Sequence, residues 1–308
     1  MLLLLLHVLP RLAHQNLPSD GEVISSFAFA SSIEQADIGP GGTLIDHRAW
    51  DTFRYAGSPA MRGHATRSGA DLFILAGDIV DARCDPINTA SCPALSHAYG
   101  VLRNQTPFQR FDESVPYVAV WNDNDYGVHR GDASNVWKEE AQALFNDNLR
   151  VPASDPRRSR PGLYRSYEWG PVGRRLQVIL LDVRYFQTET TILGEVQWDW
   201  LKSTLMRPAD LRILVSGIQI YGSRFENWSR KYPGELAQLE TLLKTTGADK
   251  VIAISGDRHI GAFYRAGASD SNYHVRGIAP LAEVTASSLT HSWYAPVLAS
   301  YSYQCSQS

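Results

Sequence analysis

Cysteine and methionine are scarce, with three of each in 308 residues. So few cysteines exclude a small scaffold built from disulfides. Long apolar runs are also missing. The leucine-rich stretch Met1–Leu9, MLLLLLHVL, falls well short of the roughly 20 residues a bilayer-spanning helix needs, so no transmembrane segment is expected. Charge is balanced, with 29 Lys and Arg against 32 Asp and Glu. The net charge of −3 provides no broad attraction for nucleic acid or an anionic membrane. There is no internal repeat, low-complexity tract or domain-scale linker. A chain of this length without one reads as a single large domain with a full core. Hydrophobic content of 44% and charged content of 20% suit a globular enzyme.

The scarce residues bear on compartment. Met1–Leu9 resembles the apolar core of a signal peptide, although no Lys or Arg precedes it. Residues 1–15 are therefore expected to be a leader, the folded domain to occupy 20–308, and the protein to be secreted or extracellular. Cys84 and Cys92 enclose the turn-like Asp85-Pro86-Ile87-Asn88. In an oxidising compartment they can pair and staple the loop beside Asp78; in a reducing one all three cysteines stay thiols. Cys305 is left over in a Ser- and Gln-rich tail. Asn104-Gln105-Thr106 and Asn227-Trp228-Ser229 have the form of glycosylation acceptors.

The chain is organised around residues 71–81, DLFILAGDIVD, an apolar run that stops at Gly77-Asp78. Its length and polar borders predict a buried strand with Gly77 turning the backbone. The design repeats. Val115–Val120 runs into Trp121-Asn122-Asp123-Asn124-Asp125, and Leu176–Leu181 into Asp182. Ile213–Val215 runs into Ser216 and Gln219, and Val251–Ile254 into Ser255-Gly256-Asp257-Arg258-His259. Residues 23–32 alternate well enough for a first strand. Helices are expected over Glu139–Asn146, Trp198–Leu205 and Glu235–Leu243, with Trp198, Leu201 and Leu205 as core. Residues 152–162 form a Pro- and Arg-rich loop, and its Arg157-Arg158-Ser159-Arg160 cluster reads as solvated. Strands alternating with helices point to an α/β fold, in which strand carboxyl ends share one rim.

At that rim Asp78, Asp123, Asp257 and His259 offer hard oxygens and an imidazole, a donor set for divalent or trivalent metals. Two ions held close bind a phosphoryl group and activate a water, with Asp78 as the bridging ligand. Arg184 and Arg258 stand beside strand ends, placed to clamp a phosphate. The competing reading of each carboxylate is a cap on a turn or helix. His291 is a candidate to border the site.

These pieces resemble the alkaline phosphatase D-like (PhoD-like) family of metallophosphatases, within the calcineurin-like metallophosphoesterases. The resemblance rests on FAFASS at 27–32, LAGD at 75–78, WNDNDYG at 121–127, LLDVRYF at 180–186, QWDWL at 197–201, SGDRH at 255–259 and EVTASSLTHS at 283–292. It implies a four-layer α/β/β/α sandwich of mixed sheets with a metal site at the strand ends. It also implies hydrolysis of small phosphate monoesters or diesters by two or more metal ions, with calcium and iron known in the family. Secretion is common among its members.

Departures from the family pattern define an alternative. Ser32 replaces a cysteine, leaving a poorer ligand that can still touch substrate. Asp81 replaces a tyrosine and can itself ligate. Asn124 replaces the histidine expected to contact the phosphate or protonate the leaving group, which an amide does not do at neutral pH. His129-Arg130 replaces Asn-Asp, and Ala262 lies where a Glu is expected. Family sequences continue past residue 292 with further strands, so a C-terminal truncation is expected. The alternative is a divergent member that binds a phosphorylated ligand without turnover.

Overall fold

All five residues of Leu72–Ala76 are buried in the computed structural model, as an unbroken apolar run requires of a strand covered on both faces. The structure describes residues 17–33, 37–38, 44–45, 50–51, 70–87, 90–222, 225–265, 281–287 and 289. The first strands are β1 (Phe27–Ala30), β2 (Asp37–Ile38), β3 (Leu44–Ile45), β4 (Leu72–Ala76) and β5 (Tyr117–Val120). β2 pairs with β3, while β1, β4 and β5 make a parallel sheet with β4 central. The second sheet contains β6 (Arg165–Trp169), β7 (Leu176–Leu181), β8 (Leu211–Ser216), β9 (Val251–Ser255), β10 (Gly261–Arg265) and β11 (Ala282–Ala286). Its order is β10-β11-β9-β8-β7-β6, parallel in the middle and closed by antiparallel edge strands β10 and β6.

The helices are α1 (Pro93–Asn104), α2 (Thr106–Ser114), α3 (Lys138–Asn148), α4 (Gly194–Leu205), α5 (Trp228–Lys231) and α6 (Pro233–Thr245). Alternation along β7 divides the core. Val178 and Leu180 join the cluster that contains β4, β5, α1 and α2. Ile179 and Leu181 join Trp198, Leu201 and Leu205 of α4 and Leu236, Leu239 and Leu243 of α6. Beyond the three-stranded sheet, Phe111 of α2 meets Phe73 at 5.5 Å and Tyr117 at 5.3 Å between ring centroids. Helices, sheet, sheet and helices therefore stack in the four layers expected. Among the described residues no helix is long and apolar enough to cross a membrane.

Two expectations change. The first strand occupies Phe27–Ala30 rather than 23–32. The backbone N–H groups of Ser25 and Ser26 donate to the Asp71 carboxylate at 2.8 and 3.1 Å instead of joining a ladder. At the other end Ser32 turns into the left-handed region, with φ 58°. The basic cluster is not uniformly solvated either, because Arg157 is wholly buried. Its guanidinium forks onto Asp155 at 3.0 and 3.1 Å and donates to the Tyr167 hydroxyl at 2.6 Å. A buried arginine is tolerable when its donors are met in this way.

Candidate metal centre

Three strand ends deliver the carboxylates. Asp78 follows β4 by two residues, Asp123 follows β5 by three, and Asp257 follows β9 by two. One oxygen from each lies within 4.8 Å of the others. Both Gly-Asp steps are needed for this approach. Gly77 has φ 91°, and a Cβ there would stand 2.6 Å from the Asn122 Cβ. A Cβ on Gly256 would meet Ser31 Oγ at 2.3 Å and the Ala76 carbonyl at 2.6 Å. Only glycine lets the β9 turn lie directly on the end of β4. The aspartates that follow are held in left-handed backbone, Asp78 at φ 53° and Asp257 at φ 73°. That conformation is uncommon away from glycine and characteristic of functional turns.

An amide lies among the carboxylates. Asn122 Nδ2 donates to Asp78 Oδ2 and to Asp257 Oδ1, both at 3.1 Å. Its Oδ1 accepts from Arg184 Nε at 2.9 Å and Arg184 Nη2 at 2.7 Å. Arg184 also donates to Glu226 Oε2 at 3.1 Å, and Gln187 donates to Glu226 Oε1 at 3.0 Å. Asp125 joins the two loops by accepting from the backbone N–H groups of Ile79, Val80 and Asn122 at 2.8, 3.0 and 3.0 Å. Asp123 accepts from the Arg130 N–H at 2.7 Å and lies 3.1 Å from His129 Nδ1.

The electrostatics favour a cation. Burial, then the negative charges of Asp123 and Asp125, push the Asp78 carboxyl well above its usual range, while Asn122 and Arg184 pull it back. Burial also raises Asp125, to about 7, against the backbone donors that oppose it. For Asp123 burial is outweighed by Arg184, the Arg130 N–H, His129 and Arg83, and its pKa falls. Carboxylates this crowded resist joint ionisation unless positive charge enters between them. Their hard oxygens fit a divalent or trivalent ion.

The triad contains three of the five ligands expected from sequence. Asp81 pairs with Arg83 at 3.2 Å, and its side chain is 39% exposed. The His259 backbone N–H donates to Ser287 Oγ at 2.7 Å. Neither residue joins the cluster formed among the described residues. Ser32 and Arg184, both expected to touch substrate, are buried. The Ser32 hydroxyl meets Ser287 Oγ at 2.6 Å, tying the end of β1 to the end of β11. Asn124 donates its backbone N–H to Asp78 Oδ1 at 3.3 Å and accepts from Arg83 Nη1 at 2.5 Å. Arg258 pairs with Asp257 and lies over the Phe225 ring at 5.1 Å. His291 and Cys305 lie outside the described residues.

Sequence reasoning missed Asn122, Arg83 and Glu226. Asn122 was legible in principle, as a polar side chain at a strand end inside the WNDND run. Glu226 follows no pattern that marks it. The Cys84–Cys92 disulfide forms, with 5.1 Å between Cα atoms. It fastens the loop after Asp78, and the Cys84 N–H donates to the Gly127 carbonyl at 2.8 Å, joining that loop to the segment after Asp123. Of the two glycosylation acceptors, Asn104 is exposed, whereas Asn227 is buried and caps α5 by accepting from the Arg230 N–H at 2.9 Å.

No protein-family model and no curated protein sequence matches the chain. Among solved structures it is similar to PhoD, with 15% identity and a TM-score of 0.63, over 89% of this chain and 58% of that one. The chain thus spans less than two thirds of the length of PhoD. It is also similar to GAP50, described as the anchor in the inner membrane complex of Plasmodium. There the identity is 18% and the TM-score 0.50, over 88% of this chain and 74% of the other. At such identities the likeness is one of fold, and that fold is the expected four-layer α/β/β/α sandwich.

Proposed function

We propose that the chain is a metal-dependent phosphoric ester hydrolase of the PhoD-like kind, acting on a small phosphate monoester or diester. The observation that carries this reading is the Asp78–Asp123–Asp257 triad, assembled from three strand ends on both sheets. These three carboxylates would hold the metal. A metal bound there supplies a Lewis acid for a phosphoryl oxygen and lowers the pKa of a water. Calcium and iron are the ions the resemblance suggests.

The other residues have separable tasks. Asn122 fixes the rotamers of Asp78 and Asp257, and Arg184 fixes Asn122. Arg83, about half exposed beside Asn124, presents a guanidinium to an incoming phosphate. Residue 124 carries an amide and gives no proton to a departing oxygen. Esters whose leaving groups depart as weak bases are therefore favoured. The disulfide supports a secreted protein that matures in an oxidising compartment.

A second reading keeps the site and removes the chemistry: a phosphorylated ligand is bound without turnover. It is motivated by Asn124, whose amide is engaged by Arg83 where the family has its histidine. GAP50, of the same fold, is described as an anchor. Metal content measured beside hydrolysis of a chromogenic phosphodiester, with Asp78→Asn as control, separates the two. Bound metal with turnover that Asp78→Asn abolishes establishes the hydrolase. Metal without turnover points to the second reading, and absence of metal overturns both.

A further inference from the structure

Phe225 is 50% exposed, and its backbone lies in the left-handed region at φ 63°. Glycine or asparagine suits that conformation, and a bulky side chain there is an outlier. Core packing does not account for the phenylalanine, because half of it faces water. Yet its backbone is anchored on the C-terminal side. Asn227 Nδ2 donates to the Phe225 carbonyl at 3.4 Å. The adjoining Glu226 is buried and bonded to Arg184 and Gln187. The same Arg184 holds Asn122 against two of the triad carboxylates, so one guanidinium sets the position of both the metal site and this ring's backbone. On the ring's face lies Arg258, at 5.1 Å, and the guanidinium of Arg258 is at the same time paired with Asp257 of the triad.

We propose that Phe225, with Arg258 behind it, is a stacking platform for the leaving group, and that the ligands of this site are phosphate esters bearing a flat aromatic ring. The inference rests on the phosphate-ester reading of the triad and adds a substrate class to it. A phosphoryl group at Asp78, Asp123 and Asp257 places its ester substituent on the rim that Arg258 and Phe225 form beside Asp257. A planar ring there gains an offset or edge contact with Phe225 that a saturated ring of equal size does not. Arg258, bound to a carboxylate on one side and an aromatic face on the other, keeps the platform in register with the metal site.

The test uses two pairs of ligands, and in the phosphate pair the alcohols have similar basicity, so that leaving-group chemistry cancels. Benzyl and cyclohexylmethyl phosphonates report equilibrium binding, and benzyl and cyclohexylmethyl phosphates report turnover. The protein is loaded with metal and compared as wild type, Phe225→Ala and Phe225→Tyr. The benzyl phosphonate is expected to bind about 3- to 10-fold more tightly than its saturated partner, the worth of one aromatic contact. That preference should vanish in Phe225→Ala and return in Phe225→Tyr. Equal binding of both phosphonates to wild type, or a preference that survives in Phe225→Ala, overturns the platform whether or not the phosphates are hydrolysed. A phosphonate preference without hydrolysis of these alkyl phosphates supports the platform, and the hydrolase reading falls with it only if nitrophenyl phosphate, whose oxygen leaves as a stable anion, is also left intact. Binding of neither phosphonate overturns the platform and the phosphate site together.

Discussion

Two hydrogen bonds from Arg184 converge on a single oxygen of Asn122, at 2.9 Å from Nε and 2.7 Å from Nη2. This leaves the amide one orientation, with its NH2 toward Asp78 and Asp257. The triad is thus held by a donor that carries no charge. Asn122→Asp should replace that donor with a fourth carboxylate while strengthening the pairing with Arg184. Metal-free protein is expected to melt lower by on the order of 5 °C, from crowding of like charges. Metal should restore more stability to the variant than to wild type. Thermal melts with and without metal, by calorimetry, decide it; equal metal-induced shifts would show that residue 122 does not face the ion.

The fold was legible because it rests on repetition. LFILA, YVAV and LQVILL lie in runs read as buried strands and are buried throughout, and VIAIS is a strand buried over its last three residues. Helices α3, α4 and α6 lie where apolar spacing put them, with longer ends, since first and last turns carry little apolar signal. The carboxylates of the site were legible for the same reason, as strand-end residues. Their supports were not. Glu226 reaches Arg184 from a segment joined to it only by the tertiary fold. Arg157 looked like part of a charge run, and only the folded chain shows that Asp155 and Tyr167 receive its donors. Asp81 and His259 had plausible spacing, but a nearby guanidinium pairs with Asp81, and His259 lies outside the cluster.

Stability should fall with rising pH in metal-free protein. Burial raises Asp125 to about 7, and burial also raises Glu283. A carboxyl whose folded pKa exceeds its unfolded value of roughly 4 binds its proton more tightly when folded. Its contribution is therefore lost as pH climbs from about 4 through about 7. The lowered carboxylates, Asp123, Asp155 and Glu226, act the other way, and only at lower pH. Denaturant midpoints of the metal-free protein are expected to be higher at pH 5 than at pH 7.5. Asp125→Asn should flatten that slope, and an unchanged slope would show that Asp125 does not titrate there.

Reduction of Cys84–Cys92 should loosen the loop that carries Arg83. The closed loop is short, and its loss is worth roughly 2–3 kcal/mol on the chain-entropy account. Cys84→Ser with Cys92→Ser is expected to melt lower and to bind metal more weakly than the oxidised parent. The second effect follows because the Cys84 N–H bonds Gly127, four residues past Asp123. Melting curves and metal titration, each with and without reductant, check both. A lower melt with unchanged metal affinity would confine the disulfide to stability.

Arg83 donates to the Asn124 amide at 2.5 Å, so the position at which the sequence resemblance leads one to expect histidine is occupied by a group that neither gains nor loses a proton. For a hydrolase this has a kinetic signature. Without a proton donor for the departing oxygen, log kcat/KM should fall steeply as the leaving-group pKa rises across a series of substituted phenyl and alkyl esters. Asn124→His adds the donor. Its benefit should be small for nitrophenyl esters, whose oxygen leaves as a stable anion. It should reach about 100-fold for alkyl esters, at the low end of what a positioned general acid supplies. The slope of the plot, rather than any one rate, is the measurement, because it cancels differences in active fraction between preparations. A shallower slope in Asn124→His identifies residue 124 as the missing acid. A steep slope in both proteins would mean that an imidazole at 124 does not reach the ester oxygen while Arg83 holds that position. The double variant Arg83→Ala with Asn124→His would then be the one to show the gain.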